Sequence, residues 1–361
     1  MTERKSCVIC KNDNFEHINQ FDKFPIMAIS NDSVKEEYYN LHYIACTNCN
    51  CLQLKHLVDP NVLYSEHYMN ATFSPIWTKH NLFFSNFILE NNNDTKLLEI
   101  GSNKGELYNI LSQKGVFDYT TLDMYKHKDL PNDIKFIQGN CENFNYNGFN
   151  TIILSHVFEH LYNPTEFIEN LKKCCVKNIF ITIPNYDSLL EEKSNILIYS
   201  QHTFYCGYKY MMYMFSLYNY TCEKYIMYDT PPKSTMFKFV LSENTILQSV
   251  PDTNIDLYKY IFFEKINNIK NMSIPANTYI APSGIYGQYI YYFIQNKKNI
   301  IGFIDNNKDR HNKKLYGTDK LVYSSSNIDP LSNIIICECP YKEEIELGLK
   351  FMYPLIKFLY I

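Results

Sequence analysis

The chain has no run of about 18 uninterrupted apolar residues, so no segment reads as a membrane-spanning helix. The apolar stretch FMYPLIKFLYI at its end is too short to cross a bilayer. The opening MTERKSC lacks the apolar core of a secretory signal, so no signal peptide is expected. An excess of one charge is also missing: a net charge of −4 and a pI near 6.2 argue against nucleic acid as a partner. Twelve cysteines in 361 residues fall far below the density of a disulfide scaffold. A reducing cytoplasm is expected, in which paired cysteines mean metal before disulfide. With 46 % hydrophobic and 20 % charged residues the sequence can bury a sizeable core, and its length allows two or three domains.

Cys7-Val-Ile-Cys10 and Cys46-Thr-Asn-Cys49 form a C-x2-C … C-x2-C pattern. Each pair puts two thiolates on one tight turn, and two turns make a closed tetrahedral site suited to one structural Zn²⁺ per chain. Cys51 is a competing third thiol at the second turn, and the repeated C-x2-C spacing favours Cys49. The segment between the pairs must carry strands of its own, FDKFPIMAI among them. A helix is expected from Pro75 to the polar run Asn91–Asn93, with His80 on it and Tyr68 before it; either side chain can face a cleft or simply pack.

KLLEIGSNKGELYNILS, Lys96 to Ser112, organises the middle of the chain. An apolar strand ends in Glu99-x-Gly101, a tight turn holds Asn103, and Gly105 opens a helical run. Glycine at 101 and 105 lets the backbone approach a ligand at the start of the helix. The strand TTLDM ends at Asp123, whose carboxylate can accept hydrogen bonds from both hydroxyls of a ribose. KFIQGNC gives a third strand, with Asn140 and Cys141 where an adenine ring is commonly held. FNTIILSHVFEHL gives a fourth, with Ser155 and His156 at its carboxyl end and Glu159-His160 on the next turn. NIFITIPN is a fifth. Alternating strands and helices predict a doubly wound α/β sheet.

The spacing E-x-G-x-x-x-G resembles motif I of class I S-adenosylmethionine (SAM) methyltransferases rather than a dinucleotide fingerprint. The order acidic strand end, Gly-Asn, S-H-V-F-E-H-L-x-x-P, I-P-N strengthens that resemblance. It implies SAM as cofactor, with Tyr68, Glu99, Gly101, Asn103, Gly105, Asp123, Asn140, Cys141 and Ser155 around it, and chemistry past strands four and five.

After the fifth strand comes a polar head, Tyr199-Ser200-Gln201-His202, then an amphipathic helix rich in Met and Tyr and an antiparallel strand pair. His202 is the candidate general base and Tyr199 a hydrogen-bond donor. A polar helical bridge over 245–275 leads to Tyr279-Ile-Ala-Pro-Ser-Gly284-Ile-Tyr-Gly287, a helix, and IIGFIDNN ending at Asp305, a second glycine turn with a strand-end acid.

The whole layout resembles the nucleotide-sugar C-methyltransferases of deoxysugar pathways. It shares the two C-x2-C pairs, Y-x-x-A-T-x-S-x-x-W-x-x-H around Tyr68, E-I-G-S-N-x-G and Tyr-x-x-His. The resemblance implies three parts: a zinc module and cap over 1–75, a class I methyltransferase domain with a Rossmann-like sheet over 76–245, and a C-terminal Rossmann-like α/β domain over 246–361. The last would hold the nucleoside diphosphate through Gly284, Gly287 and Asp305. The implied substrate is a 4-keto-6-deoxy sugar on a nucleoside diphosphate, methylated at carbon after a histidine removes the proton beside the ketone. Where the family has Y-H-E-H-x-x-Y-F, this chain has Gln201 for the Glu and Ser200 for the first His, and Lys104 stands where motif I usually has Asp. Gln cannot carry the charge that supports an imidazolium, which leaves sugar O-methylation, or a non-catalytic SAM- or nucleotide-sugar-binding subunit, as alternatives.

Overall fold

In a computed structural model of the chain, residues 2–26, 36–64, 75–116, 118–194 and 197–361 are described. Tyr68 lies outside them, as does most of the motif around it. The chain divides into two compact units, one of residues 1–17, 43–188 and 201–255, the other of 18–42, 189–200 and 256–361. The expected methyltransferase segment falls mainly in the first and the C-terminal segment mainly in the second, while residues 18–42 and 189–200 group with the C-terminal part.

Near the N-terminus β1 (Phe15–Pro25), β2 (Tyr38–Cys46) and β3 (Leu52–Leu54) form a three-stranded sheet in that order. Helix α1 (Pro75–Asn91) spans the expected residues and buries Phe84, Phe87 and Ile88. The sheet of the first unit is built from β4 (Lys96–Ile100), then α2 (Glu106–Ser112), β5 (Asp118–Asp123), β6 (Lys135–Gln138), β7 (Thr151–Ser155), α3 (Pro164–Lys173) and β8 (Asn178–Pro184). Central strands covered on both faces read as largely apolar runs, and Leu97, Leu98, Ile152, Ile153, Leu154, Ile179, Phe180 and Ile181 are all buried. Helix α3 starts on Pro164, ends on Lys172 and Lys173, and buries Phe167, Ile168 and Leu171, so its ends suit both the missing proline N–H and the helix dipole. After α4 (Tyr186–Glu191) and α5 (Tyr208–Ser216), the pair β9 (Tyr220–Tyr228) and β10 (Ser234–Leu241) closes the sheet.

The seven strands run β9-β10-β8-β7-β4-β5-β6. Strands β4 to β8 are parallel, and β10 lies antiparallel between β8 and β9. The chain leaves β4 toward β5 on one side and returns to β7 on the other. The carboxyl ends of β4 and β7 therefore flank a topological switch point, where open α/β sheets bind ligands.

In the second unit β11 (Thr278–Ala281), α6 (Ile285–Phe293), β12 (Ile300–Asp305), β13 (Val322–Ser324), β14 (Asn333–Ile336), α7 (Lys342–Met352) and β15 (Lys357–Tyr360) build a sheet of five parallel strands. Its order, β13-β12-β11-β14-β15, has its own switch point beside β11. Among the described residues no helix is long and apolar enough to cross a membrane.

Candidate active site

At the end of β4 the chain turns with positive φ at Gly101 (74°), Asn103 (49°) and Gly105 (75°). Gly105 N donates to Ser102 O at 2.8 Å, and the Thr121 hydroxyl on β5 donates to Ser102 Oγ at 2.5 Å. The two glycines are also required by the packing of the turn itself. A Cβ on Gly101 would lie 2.6 Å from Val157 Cγ2, and one on Gly105 would lie 2.9 Å from Ile134 Cδ1 and 3.0 Å from Pro131 Cδ. Positive φ and close packing of the turn against its own protein both exclude a side chain there.

Asn103 Oδ1, by contrast, is buried with no hydrogen-bond partner among the described residues. Such an orphaned acceptor in the turn fits a site made to receive a donor from a ligand. Asp123, at the end of β5, is tied to the turn: its carboxylate accepts from the backbone N–H groups of Tyr125, Met124 and Asn103, while burial raises its pKa above the ordinary value. Asn140 caps the short turn after β6 by accepting from Glu142 N at 2.9 Å. The Cys141 carbonyl accepts the Tyr146 hydroxyl at 2.6 Å, and burial holds the Cys141 thiol protonated well above its usual range. Ser155 ends β7 opposite Thr182 of β8.

Glu99, one residue before the end of β4, is buried. It is 3 % exposed and accepts from the Tyr119 hydroxyl at 2.9 Å. Burial raises its pKa to about 8, so at neutral pH it is largely a neutral acid that can itself donate.

Past β7 and β8 four imidazoles lie in two pairs. His156 has φ of 52°; its Nε2 is 3.0 Å from Ser234 Oγ, and its ring meets Trp77 edge-on at 4.9 Å and His80 at 5.1 Å. His80 is fully buried, with Nε2 3.2 Å from Thr182 Oγ1. Burial lowers both His80 and His156 to about 3, so both stay neutral.

Farther along, His160 Nδ1 lies 3.1 Å from the Gln201 carbonyl. A carbonyl only accepts, so Nδ1 carries the proton and Nε2 the lone pair. The His202 ring is 5.0 Å from that of His160, and its Nδ1 is 3.0 Å from the Tyr186 hydroxyl on α4. Burial, with lesser contributions from His160 and His156, holds His202 well below the ordinary imidazole value.

The other two expected catalytic residues are Gln201 and Tyr199. Gln201 is buried and contributes its backbone carbonyl to His160. Tyr199 groups with the second unit, where its ring is 6.4 Å from that of Tyr289. Sequence reasoning does not single out Tyr186 at all. Its only signal is its position two residues after Pro184, at the carboxyl end of a strand.

The four expected metal ligands come together. Cys7 Sγ is 3.7 Å from Cys49 Sγ, and Cys10 Sγ is 3.5 Å from Cys46 Sγ; all four sulfurs lie within 4.8 Å of one another. Sulfurs each about 2.3 Å from one tetrahedral zinc stand a little under 4 Å apart, so the donor set fits. Backbone N–H groups of Ile9 and Asn48 point at Cys7 Sγ and Cys46 Sγ, both at 3.4 Å, and Gln53 Nε2 adds a third N–H···S contact at 3.4 Å. Cys51 is not part of the quartet: its thiol donates to the carbonyls of Leu52 and Tyr205.

In the second unit Asp305 Oδ2 accepts from Ser283 Oγ at 2.6 Å, with Arg310 Nη1 at 3.5 Å. Arg310 also lies over Gly284, 3.5 Å from where a Cβ would stand. Gly287 is buried in the first turn of α6, where a Cβ would meet the Pro282 carbonyl oxygen at 2.1 Å. That glycine allows the helix to pack closely on its own turn.

Residues 77–221 match the family described as "Methyltransferase domain". Similar solved structures include magnesium protoporphyrin IX methyltransferase from Synechocystis PCC 6803 with bound SAH, at 11 % identity over 48 % of this chain and 90 % of that one, TM-score 0.38. The methyltransferase domain of bacterial CtHen1 matches at 18 % identity over 45 % of this chain and 100 % of that one, TM-score 0.37. A protein from Pyrococcus horikoshii OT3 matches at 12 % identity over 48 % and 93 %, TM-score 0.38. These likenesses are weak. No curated protein matches the chain. The family match and the strand order together define a class I SAM-dependent methyltransferase domain with a Rossmann-like sheet.

Proposed function

We propose that the chain transfers a methyl group from SAM to a carbon of a nucleoside-diphosphate-linked 4-keto-6-deoxy sugar, with His202 as general base. The observation that carries this reading is the imidazole past the carboxyl ends of β7 and β8, steered by a hydroxyl: His202 Nδ1 stands 3.0 Å from Tyr186. With Nδ1–H donating to Tyr186, Nε2 is the proton acceptor.

SAM supplies a methyl carbon activated by its sulfonium. The protein then has to position, exclude water and remove one proton. Asp123 and the 101–105 turn, with Glu99, Asn140, Cys141 and Ser155 nearby, hold SAM. The proton beside the ketone passes to His202 Nε2, and the resulting enolate carbon takes the methyl group in line as the methyl–sulfur bond breaks and S-adenosylhomocysteine leaves. The turn at Gly284 and Gly287, with Asp305 and Arg310, holds the nucleoside diphosphate, a role that the cationic guanidinium supports. The four thiolates hold a structural zinc, which ties together a module with little core of its own. Twelve free thiols suit a reducing, cytoplasmic setting.

Methyl transfer to such a keto sugar should vanish in His202→Ala with SAM affinity retained; full activity of that variant overturns the reading. Burial makes His202 a weak base, and a weak base suits the more acidic proton of a hydroxyl, which supports sugar O-methylation as the second reading. Deuterium exchange at the carbon beside the ketone separates the two, since only carbon methylation requires it.

A further inference from the structure

We propose that Glu159, His160 and His202 bind one divalent transition-metal cation, separate from the four-cysteine site. Glu159 lies in a short turn after β7 and is 0 % exposed. Neither of its carboxylate oxygens has a hydrogen-bond partner among the described residues. The nearest cationic candidate is His156 Nδ1, 3.3 Å from Oε1, and His156 is held neutral by its own burial. A carboxylate taken from water without partners is costly: it either takes up a proton or pairs with a cation.

The completing groups are at hand. Glu159, His160 and His202 each offer one ligand atom, and the three atoms lie within 4.8 Å of one another. Two ligands about 2.1 Å from a common ion stand at most about 4.2 Å apart, so a closure of under about 1 Å suffices. Both rings are also oriented as ligating histidines are. His160 donates its Nδ1–H to the Gln201 carbonyl at 3.1 Å, and His202 Nδ1 meets the Tyr186 hydroxyl at 3.0 Å. In each case the outer contact fixes the ring, as it does for ligating histidines.

Two imidazoles and one carboxylate suit Mn²⁺, Fe²⁺, Co²⁺ or Zn²⁺ and leave coordination positions open for the oxygens of an acceptor. Four thiolates leave none. The cation takes the same His202 lone pair that proton removal uses. The loaded site therefore activates an acceptor oxygen by Lewis acidity, and the unloaded site acts through the base. The site rests on its own three side chains, so it stands or falls apart from the substrate assigned above.

The test uses the full chain with its thiolate site already filled with zinc, titrated with Co²⁺ and followed by metal analysis and visible absorption. One further equivalent of Co²⁺ is expected, with d–d bands and no sulfur-to-cobalt charge transfer. That equivalent should be lost in Glu159→Gln and in His202→Ala, with circular dichroism and thiolate-bound zinc unchanged. Absence of a further equivalent in the native chain, or its retention in both variants, overturns the proposal.

Discussion

Replacing Glu99 by Gln should stabilise the first unit, and the gain should grow with pH. Glu99 is 3 % exposed in the middle of the parallel sheet, and burial raises its pKa to about 8 from an ordinary 4.5. Tyr119 opposes the shift by donating to Oε2, while the negative fields of Asp123 and Glu106 add to it. For an acid raised in this way, the folded protein holds a proton that the unfolded chain has released. Between about 4.5 and 8 stability therefore falls as pH rises. The gap corresponds to a loss of roughly 5 kcal/mol at 1.36 kcal/mol per pKa unit, an upper bound because relaxation and water entry reduce it. Gln keeps the shape and can still accept from Tyr119, but it does not titrate. Urea denaturation of both proteins at intervals from pH 5 to 8.5 measures this directly. The Glu99→Gln curve should be flatter, with the difference opening by at least about 2 kcal/mol toward pH 8. A difference independent of pH would show that Glu99 titrates normally, and the buried-acid account would fail.

Gly101→Ala forces a side chain onto φ of 74° and to within 2.6 Å of Val157; a cost of about 1–3 kcal/mol and weakened SAM binding are expected, read by thermal denaturation and calorimetry. Tyr186→Phe removes the hydroxyl 3.0 Å from His202 and should lower kcat about tenfold while leaving the KM for SAM unchanged, about 1.4 kcal/mol of lost orientation. The acid limb of kcat against pH should lie well below 6.5, because burial keeps His202 neutral there; a limb at 6.5 or above contradicts the placement of that ring. Cys10→Ser should release the thiolate-bound metal and unfold the N-terminal module, whereas Cys51→Ser, outside the sulfur quartet, should leave metal content unchanged.

Glycine punctuation, buried apolar strands and paired cysteines are legible in the sequence because each obeys a local rule. The strand–turn–helix at Lys96–Ser112, the five parallel strands of the first sheet and the antiparallel pair after them all appear where their patterns put them. The edge strands Val322–Ser324 and Lys357–Tyr360 do not read as strands, being short and only half-covered. Close packing is a second reason for Gly101 and Gly105, beside ligand approach. The residues that crowd them, Val157, Pro131 and Ile134, come from distant turns, which no local pattern reveals. The same holds for Glu99, whose burial against Tyr119 depends on the neighbouring strand. Tyr186 has only its place just after a strand as a signal and Glu159 has no sequence-assigned role, because a phenol after one strand and a carboxylate after another acquire meaning only when the sheet brings both beside the same imidazoles.

The central claim, that the crevice at the ends of β4 and β5 holds SAM, is tested most directly by calorimetric titration of the full chain with SAM. One equivalent is expected to bind, and Asp123→Ala, shown folded by circular dichroism, should weaken binding at least about tenfold through the lost hydroxyl contacts. A native chain that takes up no SAM, or an Asp123→Ala variant that binds it undiminished, would contradict the account.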